Sequence, residues 1–144
     1  MAEQYKDVIR KDGDYILKRA NGDLAQDADQ YGVIFIARHP IEILRVSEVH
    51  STAGTDGSAV TLDVEKLTGT TAPGSGATIL GSTFDLKSTA NTVVNKETIN
   101  LVSGLGRILQ EGDRLALVDT GTLTALTDVC VTIYYKTAGQ GDYR

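Results

Sequence analysis

Between Ala59 and Lys66 apolar and polar side chains alternate one for one, with Val60, Leu62 and Val64 set against Thr61, Asp63 and Glu65. A period of two places each set on its own face of an extended strand, so the segment reads as half-buried β structure. Leu126 to Lys136 carries a similar alternation. Asp113 to Asp119 precedes it, and the two read as a closing antiparallel pair joined through Thr120 to Ala125. Gly32 to Ala37 (GVIFIA) is apolar throughout, which predicts a central strand covered on both faces. Ile41 to His50 alternates less cleanly. Ile41, Ile43, Arg45, Ser47 and Val49 fall on one face and Glu42, Leu44, Val46 and Glu48 on the other, so a bulge or a change of packing partner is expected midway.

Shorter strands are expected at Phe84 to Lys87, Thr92 to Asn95 and Thr98 to Val102. Leu105 to Leu109 reads as a strand or a turn, and Ala77 to Leu80 as one helical turn. Ser51 to Ser58 and Leu67 to Gly76 are loops by their Gly, Pro, Ser and Thr content. About eight strands separated by turn signals every ten residues or so, with no amphipathic helix beyond two turns, predict an all-β fold. The expected architecture is a single β-sandwich or jelly-roll-like domain over residues 31–137, followed by a flexible tail at 138–144.

Residues 1–30 differ from this body. They are dense in charge and hold two hairpin-turn signals, Asp12-Gly13 and Asn21-Gly22, the first flanked by Val8-Ile9 and by Tyr15-Ile16-Leu17. A small hairpin or an extended polar arm fits them, with a short helix over Ala2 to Lys11 as the alternative. So polar a segment has too little apolar surface to form a core of its own.

Composition narrows the function classes. Apolar content of 41% in 144 residues is enough for one ordinary core, and with no Trp and only two Phe that core must be aliphatic. A net charge of -5 without any basic cluster disfavours nucleic acid as a partner. The opening MAEQYKDVIRKDGD lacks the apolar core of a signal peptide, and no run is long enough to span a bilayer as a helix, so neither export nor a membrane partner is expected. The single cysteine, Cys130, has no partner for an internal disulfide. It is expected to point inward as a small apolar residue, in a chain that folds in a reducing cytoplasm.

Candidate chemistry is sparse. Gly74-Ser75-Gly76 and Gly104-Leu105-Gly106 lack the third glycine of a dinucleotide fingerprint, since Ile79 and Leu109 stand where it belongs, and no lysine follows in P-loop register. Turn geometry accounts for both. Asp23, Asp27 and Asp29 resemble the start of a calcium loop, but Arg38 occupies the twelfth position counted from Asp27, where a bidentate Glu is required. His39 and His50 lie eleven apart with no Cys or carboxylate at ligand spacing, which makes a poor zinc site. Tyr134, Tyr135 and Tyr143 offer either a sugar-stacking platform or interface anchors. Neither a cofactor nor a resident metal is expected, and the chain does not read as an enzyme.

The segments AVTLDVEKLTGTTAPGSGATILGSTFDL (Ala59 to Leu86) and GDRLALVDTGTLTALTDVCVTIYYK (Gly112 to Lys136) resemble small structural proteins of tailed bacteriophages, chiefly the capsid decoration proteins also called cement or head-fibre proteins. The resemblance spans the later part of the chain and rests on loop and strand wording. It implies a homo-oligomer, a trimer, seated on the outer capsid face of the virion. The partners would be the major capsid protein and further copies of the chain. Tyr5, Ile9, Tyr15 and Leu17 of the arm are the candidate subunit or capsid contacts. The alternatives are a carbohydrate- or receptor-binding adhesin module of a phage tail and another virion structural subunit.

Overall fold

The computed structural model of the chain describes residues 10–16 and 32–138. Within them lie ten strands: β1 (Arg10–Ile16), β2 (Gly32–Ile36), β3 (Ile41–Val49), β4 (Thr61–Leu67), β5 (Ala77–Thr78), β6 (Phe84–Asp85), β7 (Val94–Glu97), β8 (Ile108–Leu109), β9 (Arg114–Thr120) and β10 (Cys130–Thr137). Short 3-10 turns occupy Thr98–Asn100 and Gly104–Arg107.

Every pairing is antiparallel. One sheet has the order β1-β10-β3-β7, with β8 also on β3; the other has the order β2-β9-β4-β5, with β6 also on β4. The chain therefore passes between sheets at β1 to β2, β2 to β3, β3 to β4, β6 to β7, β8 to β9 and β9 to β10, which is the winding of a jelly roll. The all-β sandwich expected from the alternation is the fold observed.

Among the described residues the fully buried core between the sheets is aliphatic apart from Phe84, with the half-buried rings of Phe35 and Tyr135 packed against it. Ile41, Ile43, Val46, Val131 and Ile133 from the first sheet meet Leu62, Val64, Leu115 and Leu117 from the second. The clean alternation of Ala59 to Lys66 is realised as β4, with Val60, Leu62 and Val64 inside. The irregularity in Ile41 to His50 is a bulge: Tyr135 pairs with Ile43 and Tyr134 with Arg45, which leaves Leu44 as the extra residue. The buried face accordingly changes phase, from Ile41 and Ile43 before the bulge to Val46 and Glu48 after it.

Several expectations are corrected. Gly32 to Ala37 is not a central strand: β2 pairs with β9 alone among the described residues, and Val33 and Ile36 are exposed. An all-apolar run looks the same whether core or a neighbouring molecule covers its second face. β9 and β10 do not pair with each other but belong to opposite sheets, because the loop between them crosses the end of the sandwich and buries Leu123, Leu126 and Val129 there. Asp12-Gly13 is no turn; it lies inside β1, opposite Tyr134 and Ile133. The long edge of β10 satisfies seven residues of extended backbone at once, and that tertiary pairing overrides the local turn preference.

Ala77–Thr78 is a strand on β4 where a helical turn was expected, and Thr98–Asn100 is a 3-10 turn where a strand was expected. Asn21-Gly22 lies outside the described residues.

Cys130 is also corrected. Val131 and Ile133 take the inward phase of β10, which puts Cys130 on the outer face, half-buried. Its replacement by alanine is expected to cost under about 1 kcal/mol, since no core volume is lost. Equilibrium urea unfolding of the two proteins checks this, and a loss above that figure would mean that the thiol packs as a core group.

Candidate functional site

The described polar groups that are fully withdrawn from solvent include an acid–imidazole pair. Glu48 and His50 sit at alternate positions at the end of β3, on the face that the bulge turns inward, and their side chains have no exposed surface. His50 Nδ1 lies 2.8 Å from Glu48 Oε1 and Nε2 lies 3.0 Å from the Ser88 carbonyl oxygen. A carbonyl only accepts, so Nε2–H must donate to it. Nδ1 then either donates to a carboxylate or accepts from a protonated Glu48. Both arrangements hold one shared proton and leave the pair neutral overall.

Burial pushes the Glu48 carboxyl above its ordinary range; the bond and charge of His50 oppose that rise, and the charge of Asp85 adds to it. Glu48 Oε2 has no hydrogen-bond partner among the described residues, which also favours the neutral acid. The backbone joins the same clasp, because Asn91 N–H donates to the His50 carbonyl at 2.7 Å. Together these bonds pin the segment after β6 onto the end of β3. The arrangement clasps the chain to itself: His50 meets Ser88 through the backbone carbonyl, while His39, the second histidine, sits exposed at a bend.

The glycine loop Gly74-Ser75-Gly76 does bind an anion, but that anion is the chain's own. Gly74 and Gly76 N–H both donate to Glu65 Oε2, at 2.9 and 3.1 Å. A Cβ on Gly76 would stand 2.7 Å from the Lys66 carbonyl oxygen, so only glycine fits so close to β4. The neighbouring carboxyl, Asp63, is also raised by burial, against the opposing hydrogen bonds from Thr78 and the Val64 N–H. Among the described residues no group of three or more His, Cys, Asp or Glu side chains could hold a metal ion.

The tyrosines separate as adjacent strand residues must. Tyr134 faces outward with the Arg45 guanidinium 4.8 Å from its ring centre, while Tyr135 turns in against Phe35 at a centroid distance of 5.4 Å. Arg45 covers the one outward ring, so the pair does not form an open stacking platform. Of the candidate arm contacts, Tyr15 lies on β1 opposite Val131, while Tyr5, Ile9 and Leu17 lie outside the described residues, as do Asp23, Asp27, Asp29 and Tyr143.

The remaining features are on the surface. Large apolar residues are exposed at Val33 and Ile36 on β2, and at Val93, Ile99 and Leu105 around β7 and the two 3-10 turns. A recess of about 140 Å³ opens beside β2, between Phe35, Ile36, Ile41 and Tyr135, with Arg38 and His39 contributing its polar wall. Sequence reasoning missed Val93, Ile99 and Leu105, because apolar residues in short loops carry no period that separates an exposed one from a buried one, and it took Val33 and Ile36 for buried positions of a central strand.

No protein-family model matches the chain, and no curated protein sequence matches it. Among solved structures, a chain of the Cyanophage Pam1 capsid asymmetric unit is similar in fold, with a TM-score of 0.55 and 11% sequence identity over 90% of this chain and 84% of that one.

Proposed function

We propose that this protein is a structural subunit of a phage virion, a decoration protein that binds the outside of the assembled capsid and stabilises it without chemistry. The observation that carries the reading is the jelly-roll sandwich whose likeness to a Cyanophage Pam1 capsid-unit chain extends over nine-tenths of its length. The wording of Ala59 to Leu86 and Gly112 to Lys136 supports the narrower, decorating role. The distribution of polar groups agrees with a protein that acts by adhesion. The buried carboxyl groups of Glu48 and Glu65 are bonded within the fold, while exposed aliphatic side chains remain on its surface.

The partners are the major capsid protein and further copies of this chain, in a homotrimer. An acidic chain of net charge -5 is suited to the outer shell and poorly suited to contact with packaged nucleic acid. An oligomer that touches several capsid subunits needs only weak contacts at each, since every later contact forms at high effective concentration.

Purified protein added to undecorated capsids is expected to bind saturably at a fixed copy number and to raise the temperature at which the capsids rupture. Binding to host-surface sugars, with capsids ignored, would replace this reading by that of an adhesin.

A further inference from the structure

Two surface features, an exposed knob and a recess, are complementary in size and charge. The first is Ile99, at the centre of the 3-10 turn Thr98–Asn100, which keeps 91% of its surface exposed. A single exposed aliphatic residue is ordinary on its own. This one, however, stands on a tight turn just past β7, on the flank of the first sheet that β3 separates from β10. The second feature is the recess lined by Phe35, Ile36, Ile41 and Tyr135, where residues of β2, β3 and β10 meet. Ile99 stays exposed in its own copy and is not among the residues that line the recess.

We propose that Ile99 of one copy seats in this recess of the next copy, in a head-to-tail contact that closes into a ring. The size agrees. A dry cavity of about 150 Å³ accepts a benzene molecule, and this recess of about 140 Å³ has room for the four carbons of an isoleucine side chain.

Charge supplies the second argument. Glu97 stands two residues before Ile99 with its side chain 62% exposed, and among the described residues its ion pair is a loose 3.8 Å contact with Arg45. Arg38 and His39 are exposed at the recess and take part in no ion pair among the described residues. Seating Ile99 in the recess carries Glu97 toward this basic wall, which is unusual in a chain of net charge -5. Because the knob and the recess are formed by different residues, a contact that joins them is heterologous, and a heterologous contact that closes gives a cyclic oligomer.

The test needs no capsid, so its outcome is independent of the decorating role. Sedimentation equilibrium of the full chain is expected to give a closed oligomer, and Ile99→Asp is expected to weaken its assembly at least a hundredfold. The side chain is exposed, so the variant should keep its β circular dichroism spectrum. Arg38→Glu and Glu97→Arg are each expected to loosen the oligomer about tenfold, as for a desolvated rim pair, and the double exchange to recover most of the loss. A wild-type protein that stays monomeric, an Ile99→Asp variant with unaltered mass, or a double exchange no better than its parents would each overturn the proposal.

Discussion

Replacing His50 by alanine is expected to destabilise the fold by about 3–5 kcal/mol, because it leaves Glu48 and the Ser88 carbonyl buried with nothing to bond. Both contacts made by the ring are short, and both partners are withdrawn from water. For a chain of this length the loss corresponds to a fall in Tm on the order of 10–20 °C. Thermal unfolding followed by circular dichroism reads it directly; a shift of only a few degrees would show that water enters and replaces the imidazole.

The same pair sets a pH dependence with a definite sign. Glu48 holds its proton more tightly in the folded chain than at its ordinary value of 4.5. The folded state therefore binds more protons than the unfolded state across the window that starts near that value and runs up through the raised folded one. Unfolding free energy must fall as pH rises through that window. Glu48→Gln keeps the shape and removes the titration, so the difference in stability between wild type and variant should change with pH there and flatten outside it. Asp63 is raised by burial as well and adds a slope of the same sign, which the subtraction cancels. Urea unfolding of both proteins over a pH series gives the comparison, and a pH-independent difference would mean that folding does not shift the Glu48 carboxyl.

Gly121→Ala is the second substitution with a large expected effect. Gly121 has φ of +95° at the point where the chain leaves β9 for the loop that crosses to β10, and an added Cβ would stand 2.2 Å from the Ala59 carbonyl oxygen. The obstructing atom is backbone of the segment leading into β4, so no rotamer change relieves the contact. The crossing loop must lift, which uncovers Leu123, Leu126 and Val129. Removal of large apolar groups from a core costs about 2–5 kcal/mol each, so a loss of at least about 3 kcal/mol is expected. Far smaller effects are expected at Gly57, where nothing lies within 4 Å of the added atom and φ is not positive. Comparing the two alanine variants by urea unfolding separates steric blockage from the general effect of replacing glycine.

Much of this architecture was legible in the alternation. β4 and the bulge of β3 follow from which positions are apolar, since a strand buried on one face must show it with a period of two. Features set by topology were not legible. GVIFIA reads alike at the centre and at the edge of a sheet, and the nearness of β9 and β10 in sequence suggested a hairpin where a jelly roll sends them to different sheets. The Glu48–His50 clasp did leave a trace. Once a bulge is expected near Arg45, Val46, Glu48 and His50 fall on one face, and two titratable groups beside a core valine can remain there only if they bond to each other. The closeness of Ser88, which completes the clasp, depends on long-range winding that no local pattern encodes.

The strand order also has a consequence for synthesis. Central strand β3 (Ile41–Val49) finds its long partner only in β10 (Cys130–Thr137), and β1 pairs with that same strand. When a ribosome has released the chain as far as Thr120, β2, β4, β5, β6 and β9 are all available, so the second sheet can form while the first still lacks its axis. Until β10 emerges, β3 offers an open edge with Ile43 and Val46 beside it, and pairings of such long sequence separation are slow to form. The growing polypeptide thus passes through a half-built stage in which a sticky edge is exposed, and a message truncated before Cys130 would yield a product directed to aggregation or to chaperones rather than to a smaller folded domain.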